Sequence, residues 1–307
     1  MIYTLTLNPA LDYTVFAEGL TVGAVNRAGG FSISYGGKGI NVSAMLKNLN
    51  VSSVALGFIA GFTGNELEKL LLNEGINFDF IKLKSGITRI NVKIREKSET
   101  DINVQGPCAS ADELNLLYKK LNKLEHGDWL VLSGSIPSGM PSDIYARLSE
   151  FAEKRGARVI IDAVGRALTD SLYTKPFLIK PNREELGDIF GEEISGISDA
   201  FFYAEKLKAE GAKNVMITLG GEGSALICEN GERLYCSAAD GAVLNTVGAG
   251  DSAVAGFIAG YSENGCYKNA LKLSAAAGGA TAFSNGIGNA ELVNRLRSSI
   301  SVKEYAQ

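Results

Sequence analysis

Short runs that leave no polar face constrain this chain most. Trp129-Leu130-Val131-Leu132 and Val159-Ile160-Ile161 are apolar on consecutive residues, and strands built that way must be covered on both faces. They belong to a longer alternation. Apolar or β-branched runs at 2–7, 53–59, 128–132, 158–161, 177–179 and 214–218 are interleaved with helical patterns at 65–73, 142–154 and 183–190. Strands alternating with helices predict βαβ units and a mainly parallel sheet between two helical layers, a three-layer α-β-α architecture of the α/β class. At 307 residues the chain can bury one large core and still carry a subsidiary piece.

Two stretches interrupt the alternation. Residues 12–35 hold strand-like segments at 13–17 and 31–35. Residues 88–105 read as a hairpin, with strands at 88–95 and 101–104 around a polar turn at 96–100. Neither carries a helical pattern. They predict a small β-sheet built from two separated segments, 12–35 and 88–105, that leaves the main domain (1–11, 36–87 and 106–307). A sheet with a free side suits a lid, or a surface for a homodimer.

Composition narrows the function. A net charge of −4 argues against a nucleic acid held through its phosphates. One histidine, His126, and four scattered cysteines make no histidine-based metal site or structural zinc and point to a reducing cytoplasm. Cys228 and Cys236 flank a turn at 229–232, so they are expected to face each other across a hairpin, packed rather than bonded. No signal peptide or membrane span is expected.

Seven segments carry candidate chemistry. In Asn245-Thr246-Val247-Gly248-Ala249-Gly250-Asp251-Ser252, small residues open a helix, whose first N–H groups bind anions. Asp251 reads either as a helix-start acid or as a base taking a proton from a hydroxyl while Gly248, Ala249 and Gly250 hold a phosphoryl group. Asp12, in Asn8-Pro9-Ala10-Leu11-Asp12, follows the first strand, where open α/β sheets bind ligands; its carboxylate can orient sugar hydroxyls or simply belong to a turn. Gly36-Gly37-Lys38-Gly39-Ile40-Asn41 suits a polyol or its phosphate through Gly37, Lys38 and Asn41, and reads equally as a strand-to-helix turn; it is not a Walker loop, since Gly39 replaces the magnesium-holding hydroxyl. Arg89 opens the hairpin and Arg27 lies in the other lid segment, both suited to a sugar phosphate. Ser135, in Ser133-Gly134-Ser135-Ile136-Pro137, falls at the end of another strand as part of the substrate wall. In Lys180-Pro181-Asn182-Arg183-Glu184-Glu185, Asn182 and Glu185 form a capping-box pattern or organise water about Mg²⁺ beside nucleotide phosphates. The turn Thr218-Leu219-Gly220-Gly221-Glu222-Gly223 lacks the dinucleotide fingerprint and remains a candidate nucleotide-contacting turn.

Taken in order, NPALD, GGKGIN, the arginine-led hairpin, SGSIP, KPNREE, TLGGEG and NTVGAGD resemble the ribokinase-like (PfkB) carbohydrate kinases over residues 1–290, within them the 1-phosphofructokinase and tagatose-6-phosphate kinase branch. The resemblance implies a central, mainly parallel sheet with a β lid that pairs with another subunit's lid, and ATP and Mg²⁺ as cofactors. It implies phosphorylation of a phosphosugar, D-fructose 1-phosphate to fructose 1,6-bisphosphate, with tagatose 6-phosphate or fructose 6-phosphate as alternative acceptors. A sugar-phosphate sensor without catalysis is the reading from a different class.

By position, the resemblance makes Asp251 the base and Gly248, Ala249 and Gly250 the anion hole. Asp12, Gly37, Lys38, Asn41 and Arg89 hold the phosphosugar. Lys180, Asn182 and the turn with Thr218, Gly220 and Gly223 contact ATP, Glu185 acts through Mg²⁺ by way of water, and the segment 276–288, with Gly278, borders the adenine. Two positions depart from the family: Ala44 stands where many relatives carry Arg, and Thr281 where Asn is common.

Overall fold

The computed structural model describes residues 1–96, 99–137 and 139–305; the tip of the expected 96–100 turn, Lys97 and Ser98, lies outside them. Strands run in chain order as β1 Ile2–Thr6, β2 Ala10–Ala17, β3 Ala28–Gly36, β4 Val54–Ile59, β5 Ile81–Lys82, β6 Arg89–Arg95, β7 Glu99–Ile102, β8 Trp129–Ser133, β9 Arg158–Asp162, β10 Leu178–Ile179, β11 Asn214–Thr218, β12 Ser224–Ile227, β13 Arg233–Cys236 and β14 Val302–Glu304. The helices are α1 Lys38–Asn48, α2 Gly61–Asn73, α3 Ala111–Leu121, α4 Ile144–Glu153, α5 Arg166–Thr169, α6 Arg183–Phe190, α7 Ile197–Ala209, α8 Ala249–Asn264, α9 Tyr267–Ala282 and α10 Ala290–Ser299.

Ten strands form one sheet in the order β14-β13-β12-β11-β10-β9-β8-β1-β4-β5. From β5 to β11 neighbours are parallel; β12, β13 and β14 return antiparallel. The consecutive apolar runs explain the burial. Leu130, Leu132, Val159 and Ile161 enter one hydrophobic cluster, while Trp129, Val131 and Ile160 enter the cluster on the opposite face. Each strand therefore loses both sides to water, as a parallel sheet between helical layers requires. Among the described residues no helix is long and apolar enough to cross a membrane.

The chain leaves β1 toward β4 on one side and later places β8 on the other. That reversal opens a crevice beyond the carboxyl ends of the strands, the usual ligand position in open α/β sheets. Directly above it stands the smaller sheet, ordered β3-β2-β6-β7, in which β2 pairs parallel with β6 and antiparallel with β3. Helix α8 is buried from Asp251 through Gly260 and lies against α9 where glycines remove bulk. A Cβ at Gly256 would sit 2.5 Å from the Leu273 carbonyl oxygen, so only glycine permits that approach.

The two buried cysteines do not face each other. Cys236 pairs with Ser224 in the β12–β13 ladder, and Cys228 precedes the turn with its N–H on the Glu232 carbonyl. Both are free thiols. The turn is simply longer on one arm than symmetric flanking suggests.

Candidate active site

Strand ends bring the functional groups together. Asn8 follows β1, Ser133-Gly134-Ser135 closes β8, Asp162 is the last residue of β9 and Lys180 follows β10. Tyr145 fixes the second of these, donating its hydroxyl to the carbonyls of Ser133 (2.9 Å) and Gly134 (3.1 Å). Asn8 Nδ2 donates to Ser135 Oγ at 3.2 Å, tying β1 to β8 across the switch point.

Helix α8 begins at Gly248, whose φ of 81° is the left-handed region glycine tolerates. The first helical bond runs from Ser252 N–H to the Gly248 carbonyl. Ala249 does not serve the anion hole as expected, because its N–H donates to the Thr246 carbonyl at 3.1 Å. The turn that opens the helix consumes that donor. Among the described residues the N–H groups of Gly248, Gly250 and Asp251 meet no acceptor, which leaves three free donors at the positive end of a 16-residue helix.

Asp251 is 5% exposed. Asn41 Nδ2 donates to its Oδ2 at 2.8 Å, which places Asn41 beside the carboxylate rather than leaving its whole amide for a sugar. Burial and the nearby Asp162 charge push the Asp251 carboxyl up to about 6, against the opposing pull of Lys38, Asn41 and Lys180. A carboxylate so placed is ionised at neutral pH yet basic enough to accept a proton from a hydroxyl.

Asp162 went unnoticed in the sequence. It is 1% exposed, and its Oδ1 receives Lys38 Nζ at 3.3 Å and Lys180 Nζ at 3.2 Å. Burial alone would raise its pKa, but Lys180 and Lys38 hold it below the ordinary value. Glu185 Oε1 lies 3.9 Å from Lys38. Its Oε2 accepts the Asn182 N–H while Asn182 Oδ1 accepts the Glu185 N–H, a complete capping box at the start of α6. The box leaves Oε1 of Glu185 uncommitted to the cap. For Asp162 the one signal in the sequence was an acid directly after a wholly apolar strand core.

Mg²⁺ fits this cluster only in a particular manner. Among the described residues no group of three or more His, Cys, Asp or Glu could hold a metal ion. Glu185 Oε1 and the buried, unpartnered Asp162 Oδ2 are single oxygens. They suit an ion that keeps most of its waters and draws other ligands from phosphate.

Between the smaller sheet and α1 lies a cavity of about 680 Å³, lined by Asp12, Ser34, Asn41, Lys93, Arg95 and Asn245 among others. Asp12 lies within β2, not in a turn. Asn91 Nδ2 donates to it at 3.0 Å and Lys93 Nζ lies 3.8 Å away. Burial raises its pKa against Lys93, Asn91 and Arg89. Lys93, 8% exposed and also 3.3 Å from Asp101, escaped sequence reading because alternate residues Arg89, Asn91, Lys93 and Arg95 share one face only once the strand is paired. Arg89 donates to the carbonyls of Asn8 (3.2 Å) and Val104 (3.3 Å), which anchors it between the two sheets. Arg27 does not join this group. It precedes Ala28, which pairs with Ala17 at the far end of β2 from the Asp12–Ser34 pair.

Gly37 caps α1 with φ 134°, and a Cβ there would lie 2.9 Å from Thr6 Cγ2. On the other flank, Thr218 N–H donates to the Pro181 carbonyl at 3.2 Å and Arg183 pairs with Glu222 at 2.6 Å. The 218–223 turn therefore sits against the Lys180-Pro181-Asn182 segment. Gly220 faces open space, whereas a Cβ at Gly223 would strike the Cys236 carbonyl at 2.0 Å, a backbone requirement. Gly278 lets α9 approach the Ala249 carbonyl. Thr281 is fully buried, sharing hydrogen bonds with Ser252 Oγ (2.7 Å) and Gly288 N–H (3.0 Å), so its hydroxyl braces α8 instead of meeting a ligand.

A buried acid beside the free N–H groups of a helix start, with one lysine after a strand, another opening α1 and a polar cavity adjoining, defines a phosphoryl-transfer site on a ribokinase-like fold. The comparisons agree: residues 5–293 match the model of the pfkB family carbohydrate kinases, and the chain belongs to that family. It is 43% identical over 302 residues to a 1-phosphofructokinase of Bacillus subtilis, covering 98% of this chain and 99% of the relative. It is 39% identical to a D-tagatose-1-phosphate kinase of Bacillus licheniformis, covering 98% and 99%. Among solved structures, phosphofructokinase-2 of Escherichia coli in complex with substrates and products superposes with a TM-score of 0.91 at 27% identity, covering 97% of this chain and 98% of that one. The tagatose relative is named for the 1-phosphate, not the 6-phosphate expected as the alternative acceptor.

Proposed function

We propose that this chain is an ATP-dependent kinase of a ketohexose 1-phosphate, converting D-fructose 1-phosphate to fructose 1,6-bisphosphate. The single observation that carries the chemistry is Asp251, buried, raised to about 6 and hydrogen-bonded by Asn41 at the mouth of an anion hole. The acceptor class rests on the relatives named for fructose 1-phosphate and tagatose 1-phosphate, sugars that differ only in the configuration of one hydroxyl.

In the reaction the sugar's free primary hydroxyl oxygen bonds to the γ-phosphorus of ATP, and the bond from that phosphorus to the β,γ-bridging oxygen breaks, leaving ADP. The hydroxyl proton passes to Asp251. The N–H groups of Gly248, Gly250 and Asp251 receive charge on the phosphoryl oxygens, so that positioning and electrostatics supply the rate. Asp12, oriented by Asn91 and Lys93, accepts hydrogen bonds from sugar hydroxyls, with Gly37, Arg89 and Ser135 completing the wall. Lys180, Asn182, Thr218 and Gly220 border the nucleotide, and Gly278 lies behind it. Glu185 would hold Mg²⁺ through water, and the ion would supply positive charge to the phosphates. The smaller sheet acts as a lid that excludes water from the acceptor position.

Its other face supports a homodimer. Tyr13 stacks on Phe31 at 5.4 Å, and Phe31 is 64% exposed, a costly apolar surface for a free monomer.

An ADP-release assay across fructose 1-phosphate, tagatose 1-phosphate, fructose 6-phosphate and fructose tests the reading. The 1-phosphates should turn over best, and Asp251→Asn should lose about 10²–10⁴-fold in kcat. Phosphosugar binding without ADP release from any acceptor would instead establish a sensor.

A further inference from the structure

Lys38 was expected on the sugar. The geometry points to a different office: we propose that Lys38 is a ligand of the transferring phosphoryl group, acting with Lys180, and that Asp162 is the positioning residue that holds both ammonium groups beside the anion hole. This inference rests on the kinase reading above and assigns residues within that site.

Four observations converge. First, both ammonium nitrogens share one oxygen, Asp162 Oδ1, at 3.3 and 3.2 Å. They are therefore no further apart than the sum of those distances, close enough to meet oxygens of one phosphoryl group or of two linked phosphates. Second, Lys180 already abuts the anion hole, since a Cβ on Gly250 would lie only 3.3 Å from its Nζ. Any anion resting on the Gly250 N–H meets that charge.

Third, Lys38 faces away from the sugar cavity. Asn41 lines the cavity and Lys38 does not, although the two share one face of the first turn of α1 at i and i+3. Asn41 reaches Asp251 while Lys38 reaches Asp162 and Glu185. Fourth, Asp162 is 1% exposed with its Oδ2 lacking a hydrogen-bond partner. A carboxylate carried so deep costs stability unless paired, and its pairing fixes two long, otherwise flexible side chains. Two lysines with nothing between them would repel at this range; Asp162 lets them wait together, and an incoming phosphate then meets charge already in place, with no reorganisation at the moment of transfer.

The test separates sugar binding from transfer. Lys38→Met, Lys38→Arg and Asp162→Asn are compared with wild type by initial-rate ADP release, with both substrates varied, and by calorimetric binding of fructose 1-phosphate without nucleotide. Lys38 is partly exposed, so its variants should fold; melting temperatures check this for all three. The expected result is a kcat about 10²–10³-fold lower in Lys38→Met, with phosphosugar affinity unchanged and partial recovery in Lys38→Arg. Asp162→Asn should show the same split in milder form. Weakening of phosphosugar binding by about tenfold in Lys38→Met, with kcat retained, would overturn the assignment. Wild-type rates in Asp162→Asn would overturn its positioning role. A wild type that releases no ADP would sink the kinase reading itself, which these variants leave distinguishable from the assignment of Lys38.

Discussion

Truncating Asn41 to alanine should move the acid limb of the rate profile. Its Nδ2 donates to Asp251 Oδ2 at 2.8 Å, on a carboxyl that is 5% exposed and pushed up to about 6. A hydrogen bond to a charged group is worth about 1.5–3 kcal/mol, and one pKa unit corresponds to about 1.4 kcal/mol, so losing the bond should shift Asp251 by about 1–2 units. Asn41 is only partly buried and borders the cavity; water entering the gap replaces part of the interaction and favours the lower figure. The sign follows from which form the bond serves. The amide stabilises the ionised carboxylate, so its removal raises the pKa, and the limb should move from about 6 to about 7. At pH 6 the ionised fraction then falls about fivefold, on top of any pH-independent loss. The assay is kcat/KM for the phosphosugar between pH 5 and 9, which reports groups of the free enzyme. A limb that stays in place or moves to lower pH would refute the pairing of Asn41 with the base.

Asp251 also costs stability when ionised. Its folded value lies above the ordinary 3.8 of an aspartate, so the native state binds extra proton between about pH 4 and 6, and stability should fall across that window as pH rises, by up to about 3 kcal/mol. Asp251→Asn should therefore melt higher than wild type at pH 7.5 and lose the difference near pH 4; equal melting at both would refute the tuning. Gly248→Ala must adopt φ 81° and place its Cβ 2.9 Å from Ile287 Cδ1, so it should lose about 1–3 kcal/mol in denaturant titration, together with most activity. Asn182→Ala removes half of the capping box on α6 and should cost about 1 kcal/mol by the same measurement. Sedimentation should find a dimer at micromolar protein that Phe31→Glu dissociates, and a wild-type monomer would count against pairing through the smaller sheet.

What was legible in the sequence was whatever local chemistry dictates. Val159-Ile160-Ile161 had to be a strand buried on both faces, and Gly248-Ala249-Gly250 had to open a helix. Pairing across the chain was not legible. Asp162 follows an apolar strand like any polar residue that ends one, and nothing near it announces Lys38 and Lys180, which the sheet order brings in from 124 and 18 residues away. Lys93 was hidden for a related reason, since strand register alone sets it opposite Asp12's neighbour Thr14 and beside Asp101. Arg27 erred in the opposite direction: membership of the same small sheet suggested proximity, but β3 runs its length away from Asp12. The two lysines and the acids Asp162, Glu185 and Asp251 form a cluster one negative charge in excess. That excess is Asp251's own charge, since the two lysines balance the other two acids, so burial and the adjacent Asp162 carboxylate are what keep Asp251 basic. Phosphate entering beside Lys38 and Lys180 would push its pKa higher still, so the same arrangement that recruits the anion strengthens the base that must act on the hydroxyl next to it.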